Sequence, residues 1–208
     1  IDGGTSYPNV IVASTTASTG AYSWTLPDSI GTNRRVRVSD ASDSTVLDTS
    51  NANFTIMGGF TLSAPNGGEV WTVASAQTIA WTTAGSVTNV KLEYSTDGTT
   101  YPNVITATTA NTGSYSWTVP DSIGANRVVQ IKSNAFPSDV LGDSGTFSIK
   151  GKVVQDSGID SLTLVVGQSA NINYAKYGTI GNLKIEYIHN GNSTIISPDP
   201  VGTNQATS

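Results

Sequence analysis

The sequence predicts an all-β protein built from tandem β-sandwich repeats of about 93 residues. A nineteen-residue string, GAYSWTLPDSIGTNRRVRV at residues 20–38, returns almost unchanged as GSYSWTVPDSIGANRVVQI at residues 113–131. Apolar and polar residues alternate along many short segments, which is typical of strands with one buried face. No segment carries a convincing apolar stripe at helical spacing over ten residues.

The spacing of equivalent residues sets the length of the repeat. Trp24 and Trp117 are 117 − 24 = 93 positions apart. A fainter third copy has the same offset, because QTIAWTTAGSVTNVKLEYSTDG at 77–98 aligns with ANINYAKYGTIGNLKIEYIHNG at 170–191. Self-similarity at a fixed period is the signature of a repeat architecture.

This period divides the chain into three predicted parts. Residues 1–57 are the C-terminal part of one repeat, 58–150 are a complete repeat, and 151–208 are the N-terminal part of a third, diverged repeat. The chain opens at Ile1 in mid-pattern, so we expect a mature product or a piece of a longer protein. If it were a natural subunit, its tail would be able to complete the head of another copy, giving a head-to-tail fibre.

The first half of the complete repeat predicts four strands: GGFTLSAP, VWTV, QTIAWTT and NVKLEYS. The NGGE segment between the first two is a turn, since Asn and Gly tolerate positive φ. Trp81 is expected to fill the centre of the sandwich. In NVKLEYS, period two places Val90, Leu92 and Tyr94 in the core and the intervening charges in water. The following TDG is a hairpin signal.

The second half predicts three further strands, SYSWTVP, RVVQIK and GTFSI. Pro120 ends the first of them because proline cannot donate to the ladder. The side chains expected to point inward are Tyr115, Trp117, Val119, Val129, Ile131, Phe147 and Ile149. Seven or eight strands in 93 residues, with a turn about every ten residues, describe a two-sheet sandwich.

The complete repeat resembles a known family through five motifs in order: PNGGExW, IxW, VKLEY, GSYSWxVP and FxI. They are similar to the Ser/Thr-rich immunoglobulin-like repeats of microbial cell-surface proteins. The same pattern occurs in the N-terminal domain of fungal cell-wall glucan-assembly proteins, a Ser-Thr-rich GPI-anchored group. The resemblance covers 58–149 fully, 1–57 in part and 150–191 weakly, where Tyr174 replaces the core tryptophan. It implies an immunoglobulin-like sandwich, a surface location and a spacer role.

Composition excludes several other classes of protein. The net charge is −5 and the pI is about 4.6, so a basic footprint for nucleic acid is missing. The one dense basic cluster, Arg34, Arg35 and Arg37, is interpreted as a solvated strand face. No run approaches the ~20 apolar residues of a membrane helix, so we expect no membrane insertion within this segment. There is no cysteine and therefore no disulfide framework.

Nothing in the sequence marks a catalytic site, and we predict that the chain is not an enzyme. His189, the only histidine, lies in the predicted hairpin turn IHNG. Glu93 and Glu186 occupy equivalent positions two residues after a lysine, where surface ion pairs are the simple interpretation. A glycosidase needs two carboxylates about 5–10 Å apart across its substrate, and no such pair is evident.

The sequence suggests three other kinds of site. The acidic segment SDASDSTVLDTSN contains Asp40, Asp43 and Asp48, which are weak calcium candidates, although a solvated turn explains them more simply. Apart from calcium, no cofactor is expected. Trp71 follows a turn and is expected to be partly exposed, which makes it the candidate sugar contact. Asn53 and Asn192 begin N-glycosylation triplets.

These observations predict an extracellular structural protein of the cell surface or cell wall. The chain would be a segment of a repeat-built stalk, sheath or fibre that acts as a spacer or scaffold, and exposed Ser and Thr would carry O-linked sugars. Its partners would be neighbouring repeats or copies of itself, and cell-wall polysaccharide. The alternative is a binding module, either an adhesin or a carbohydrate-binding accessory module of a secreted hydrolase.

Overall fold

The computed structural model describes residues 6–189 and 191–197. Within them the regular structure is β-strand apart from two short 3-10 turns, Ala17–Thr19 and Ser157–Ile159, so the predicted all-β fold is confirmed. Before residue 58 the strands are β1 (Gly31–Arg34), β2 (Arg37–Ser39), β3 (Leu47–Thr49) and β4 (Phe54–Ile56).

The middle of the chain forms the most complete unit. Its strands are β5 (Gly59–Ala64), β6 (Val70–Thr72), β7 (Ala76–Ala84), β8 (Asn89–Ser95), β9 (Asn103–Ala110), β10 (Ser114–Thr118), β11 (Gly124–Ser133), β12 (Leu141–Asp143) and β13 (Phe147–Lys150). One sheet has the order β10-β7-β5. The other has the order β6-β13-β11-β8-β9, with β12 also paired to β11. All of these pairs are antiparallel except β6 with β13, which is parallel.

A single apolar core lies between these two sheets. Period two placed the correct aliphatic residues in it: Val90, Leu92, Val129 and Ile131 are fully buried, as are Val119, Phe147 and Ile149. Tyr94 and Tyr115, also predicted to point inward, are partly buried against this core, and Ile79 is a further fully buried member. The aromatic members pack edge to face or tilted, the arrangements that ring quadrupoles favour. The ring centroids of Trp71 and Trp117 are 5.8 Å apart, those of Trp71 and Phe147 4.6 Å, and those of Tyr94 and Trp117 5.3 Å.

The central tryptophan has its polar atom satisfied by a side chain that the sequence did not single out. Trp81 is 3% exposed, and its Nε1 donates to Asn111 Oδ1 at 2.7 Å. Thr83 Oγ1 donates to the same oxygen at 3.0 Å, and Asn111 Nδ2 donates to the Val87 carbonyl at 2.7 Å. Asn111 therefore joins β7, the β7–β8 connection and the end of β9 through one amide.

Before residue 58, β1 pairs with β4 and β2 pairs with β3. Gly31 lies opposite Ile56 and Arg34 opposite Phe54. The centroids of Trp24 and Phe54 are 6.3 Å apart at an interplanar angle of 86°. In the middle unit, Trp117 and Phe147 are 6.5 Å apart at the same 86° angle. Trp24 and Trp117, the two tryptophans of the repeated string, therefore each pack edge to face on an equivalent phenylalanine.

After residue 150 the strands are β14 (Lys152–Gln155), β15 (Tyr174–Tyr177), β16 (Ile185–His189) and β17 (Asn192–Ser197). The β14–β15 pair is antiparallel, with Lys152 opposite Tyr177 and Gln155 opposite Tyr174. In the β16–β17 hairpin, His189 is the last residue of its strand and lies opposite Asn192. The prediction that His189 lies in the turn itself is therefore wrong, because the strand extends slightly further along the chain than expected.

Replacing Asn111 with alanine tests the polar support of the core. Asn111→Ala leaves the Trp81 indole N–H, the Thr83 hydroxyl and the Val87 carbonyl without this partner, so we expect about 1–3 kcal/mol of destabilisation. Asn103→Ala is the matched control, because Asn103 Nδ2 makes one bond to the Tyr94 carbonyl; its expected cost is about 0.5–1 kcal/mol. Urea unfolding followed by tryptophan fluorescence measures both, and equal costs would contradict the role assigned to Asn111.

Candidate functional site

The outer face of the larger sheet carries a cluster of polar side chains that are more buried than a solvated strand face would be. Glu93 on β8 points away from the core yet is only 5% exposed. Its Oε1 pairs with the ammonium of Lys91, as the spacing predicted, and its Oε2 lies 2.9 Å from Nζ of Lys132. The prediction of a simple surface pair is therefore wrong for Glu93. Lys132 was missed because it comes from β11, the neighbouring strand.

The cluster continues along β11 toward the strand β12. Gln130 lies opposite Glu93, and its Nε2 donates to Asp143 Oδ1 at 2.7 Å. Burial, together with the charge of Asp143 and a hydrogen bond to it, raises the pKa of Tyr101 to about 12. Nζ of Lys132 lies 6.0 Å from the centroid of the same ring. We call this group the outer-face cluster: Lys91, Glu93, Tyr101, Gln130, Lys132 and Asp143.

The electrostatics of this cluster indicate a structural role rather than acid–base chemistry. Burial acts to raise the pKa of Glu93, but hydrogen bonds and charge from Lys91 and Lys132 outweigh it and hold the pKa below the ordinary value. The carboxylate is therefore ionised at neutral pH and balanced by two ammonium groups. A general acid would need the opposite shift, toward a raised pKa.

Two other places in the chain carry related contacts. Arg37 and Tyr7, the counterparts of Gln130 and Tyr101 in the repeat alignment, form a cation–π contact of 4.5 Å. Lys184 and Glu186 form the counterpart of the Lys91–Glu93 pair, with Nζ 2.6 Å from Oε1 and much greater exposure.

The prediction that Trp71 is partly exposed, and hence a sugar contact, is wrong. Trp71 is 7% exposed, and its ring packs on Trp117 and Phe147. Its strand pairs parallel to β13, which places Trp71 opposite Ile149. A ring held between these neighbours has no face for stacking against a sugar.

The acidic candidates for calcium use their carboxylates inside the turn. Asp40 Oδ1 accepts from the backbone and hydroxyl of Ser42 at 2.7 and 2.6 Å, and Asp43 Oδ1 accepts from those of Thr45 at 2.9 and 2.6 Å. These hydrogen bonds lower the pKa of both carboxyls. Asp48 Oδ1 accepts from the Thr49 backbone. In the described part of the chain, no three His, Cys, Asp or Glu residues are grouped to hold a metal. Calcium binding here stays a prediction.

The two predicted N-glycosylation sites differ in what the structure describes. Asn53 is exposed, with Oδ1 accepting from Arg35 Nε at 2.8 Å and Nδ2 donating to Asn33 at 3.2 Å. A glycan on Asn53 would compete with the second of these bonds. Asn192 begins β17, and its side chain lies outside the described residues. Both sites remain predictions.

The repeated string also contains a loop that the sequence did not single out. We call residues 27–31 and 120–124 the PDSIG loops. Arg127 Nε and Nη2 donate to the carbonyls of Ser122 and Ile123 at 3.0 and 2.8 Å, and its Nη1 donates to the Thr96 carbonyl at 2.6 Å. Arg127 is 8% exposed, so its charge is held by backbone carbonyls rather than by water.

Arg34 holds the first PDSIG loop in the same way. Its Nε and Nη2 donate to the carbonyls of Ser29 and Ile30 at 2.9 and 2.7 Å. A Cβ at Gly31 or Gly124 would lie 2.7 or 2.4 Å from the arginine Nη2, so a larger residue would push the guanidinium away from the position in which it holds the loop. The interpretation of Arg34 as part of a solvated face is therefore wrong. The sequence did contain a signal for this loop: PDSIG is identical in both copies, although the packing of the core does not require identity there.

Comparison with known protein families finds a match in the middle unit. Residues 64–149 match the family model of the Kre9/KNH-like N-terminal Ig-like domain. Over these residues the chain is similar to an Ig-like domain of the Kre9/KNH type. This confirms the resemblance inferred from the five motifs. The Kre9/KNH type is a cell-wall-associated family, and Ig-like domains are typically non-catalytic.

Other comparisons add little to this assignment. The fibronectin(III)-like modules of Clostridium thermocellum CbhA are similar over 69% of this chain and 74% of theirs, with 16% identity and a TM-score of 0.28. The curated proteins gave no significant match. Among the residues that the structure describes, no helix has the length and apolarity needed to cross a membrane.

Lysine substitutions test the outer-face cluster. Lys132→Met leaves the buried Glu93 carboxylate with one cation instead of two, so we expect a loss of about 1–3 kcal/mol at pH 7. Lys184→Met is the matched control, because its ion pair with Glu186 is exposed and should contribute less than about 0.5 kcal/mol. Urea unfolding of both variants measures the difference, and similar losses would contradict the cluster.

The pH dependence of stability in the same variants tests whether the loss comes from the ionised carboxylate of Glu93. Because the folded-state pKa of Glu93 lies below its ordinary value of 4.5, the stability from its pairing is present above pH 4.5 and is lost as the pH falls through the folded pKa. The deficit of Lys132→Met relative to the unmodified chain should therefore shrink below pH 4.5. A deficit that stays constant down to pH 2 would show that it does not come from the carboxylate.

Proposed function

We propose that this chain is part of a repeat-built extracellular structural protein that acts as a spacer or scaffold at the cell surface or in the cell wall. The observation that carries this proposal is the recurrence of the same contacts at one fixed offset. The Trp24–Phe54 pair and the Trp117–Phe147 pair differ by 93 positions and by only 0.2 Å in centroid distance (6.5 − 6.3).

The strand registers support the same division into parts 1–57, 58–150 and 151–208. The pairs Gly31–Ile56 and Arg34–Phe54 recur 93 positions later as Gly124–Ile149 and Arg127–Phe147. At the other end, Gly59 lies opposite Ala84, and 93 positions later Lys152 lies opposite Tyr177. The core contacts, the PDSIG loops and the strand registers therefore recur at the same offset. This is expected when the repeated unit is a structural domain.

The surface of the middle unit supports a scaffold more than a binding module. The tryptophan proposed to stack on a sugar is in the core. The charge of Glu93 is paired with two lysines of the unit, and the guanidinium of Arg127 donates to backbone carbonyls of the unit. Function in such a unit would come from its length, its stability and its connection to neighbours. We therefore propose a non-catalytic role, and the cell-wall association of the domain type supports an extracellular location.

Force spectroscopy tests this proposal on the full chain. Pulled between its termini, the chain should show one unfolding event that releases about 300 Å of contour length, because some 90 folded residues extend to about 3.3–3.6 Å each. Trp117→Ala should lower the force of this event by removing packing between the sheets. If no release near this contour length were observed, the proposal that the middle unit is a separately folded domain would be contradicted.

A polysaccharide-binding assay with the same chain separates the two candidate roles. Glucans, chitin and mannans presented on an array should show no saturable binding if the chain is a passive spacer. Saturable binding to one of them would favour the adhesin or accessory module instead. Trp71→Ala is unsuitable as the probe in this assay because it would damage the core.

A further inference from the structure

The PDSIG loops lie where one predicted repeat meets the next. Asp28 Oδ1 accepts from the backbone N–H of Ser86 at 3.0 Å, and its Oδ2 accepts from the Ser86 hydroxyl. Ser86 lies 86 − 28 = 58 residues further along, in the β7–β8 connection of the middle unit. These hydrogen bonds therefore join the part before residue 58 to the middle unit.

The same contact occurs a second time. Asp121 Oδ2 accepts from the hydroxyl of Thr179, and 179 − 121 is again 58. The Thr179 backbone also donates to Asp121. Asp121 and Thr179 each follow their counterparts Asp28 and Ser86 by 93 positions. Two junctions in the chain thus use the same pair of chemical groups at the same place in the period.

The surface that receives each loop is also the same. We call residues 84–87 (AGSV) and 177–180 (YGTI) the docking turns. A Cβ at Gly85 would lie 3.0 Å from Ile30 Cδ1, and one at Gly178 would lie 3.2 Å from Ile123 Cδ1. Both glycines have positive φ, 81° and 88°. Each glycine therefore forms the turn and leaves space for the isoleucine of the loop.

The covalent connections at these junctions are short. Two residues separate β4 from β5, and one residue separates β13 from β14. A short connection limits the distance between neighbouring units but leaves rotation about it free. A hydrogen-bonded contact at a second point restricts that rotation, and it forms readily because both partners are already held close together.

We propose that each PDSIG loop docks on the docking turn of the next repeat and that this joint fixes the orientation of successive repeats, making the protein a stiff rod. The inference rests on the repeat-built scaffold proposed above and specifies its partner. That partner is the next repeat of the chain, recognised through a positive-φ glycine followed by Ser or Thr. The arginine-held loop presents the aspartate, and the isoleucine packs beside it.

The hydrogen bonds from Ser86 and Thr179 lower the pKa of Asp28 and Asp121. Both carboxylates are therefore ionised at neutral pH, which strengthens the hydrogen bonds that they accept. The ionised state of the two aspartates agrees with their hydrogen-bond geometry, and the proposal rests on that geometry. A rod of this kind would have a constant step per repeat, since each joint repeats the same contact.

Pulsed electron paramagnetic resonance on the full chain tests the joint. The chain has no cysteine, so spin labels can be attached only where cysteines are introduced. Val38→Cys with Val104→Cys spans the first joint, and Val104→Cys with Val153→Cys spans the second; all three positions are exposed. Val70→Cys with Val104→Cys lies within the middle unit and reports whether that unit is folded.

Both joint-spanning pairs should give narrow distance distributions in the otherwise unmodified chain. Asp28→Ala should at least double the width for the first joint and leave the second unchanged. Asp121→Ala should do the converse, so each variant is the matched control for the other. Broad distributions without any substitution, or widths unaffected by either alanine, would overturn the joint.

The pair within the middle unit separates the two proposals. If it is narrow while the joint-spanning pairs are broad, the units are folded beads on a flexible string; the scaffold then stands and the joint is rejected. If it is broad, the bead itself is absent and both proposals fail. Unchanged thermal unfolding of the alanine variants would show that any broadening comes from the joint and not from loss of fold.

Discussion

The structure depends on the packing of tryptophan rings between two sheets. Trp81 and Trp117 from one sheet and Trp71 and Phe147 from the other pack together with the aliphatic residues of β8 and β11. Removing such a ring from water contributes about 25 cal/mol for each Å² of apolar surface that is buried. The single polar atom of Trp81 does not offset this gain, because Asn111 accepts its hydrogen bond. The charged and polar contacts of the middle unit lie around this core.

The groups outside the core are also committed to holding the unit together. Glu93 is balanced by Lys91 of its own strand and Lys132 of the neighbouring strand. Arg127 is held by the backbone carbonyls of four residues: Thr96, Ser122, Ile123 and Ala125. A binding or catalytic site usually leaves polar groups available to a ligand. Here the buried charges of the middle unit are paired within it, which agrees with a role that depends on shape, stability and connection.

The sequence predicted the parts of the fold that depend on local pattern. Alternation along β8, β10 and β11 identified the core residues, because one face of a strand recurs every second position. It failed for Glu93, since the alternation shows which face a residue occupies but not that Lys132 from the next strand covers it. Trp71 was misplaced for a similar reason: its burial comes from parallel pairing with β13, almost 80 residues away (149 − 71 = 78). The contact of Asp28 with Ser86 is equally non-local, and the only hint of it was a loop copied without change.

The claim on which the rest depends is that the tryptophans of the middle unit form a dry core. Hydrogen exchange of the Trp81 indole N–H, followed by NMR, tests this most directly. The bond to Asn111 and the burial of the ring predict that this proton exchanges only when the unit unfolds as a whole, at a rate that falls with the global stability. Exchange of the Trp81 indole proton at the rate of a free tryptophan would contradict the account.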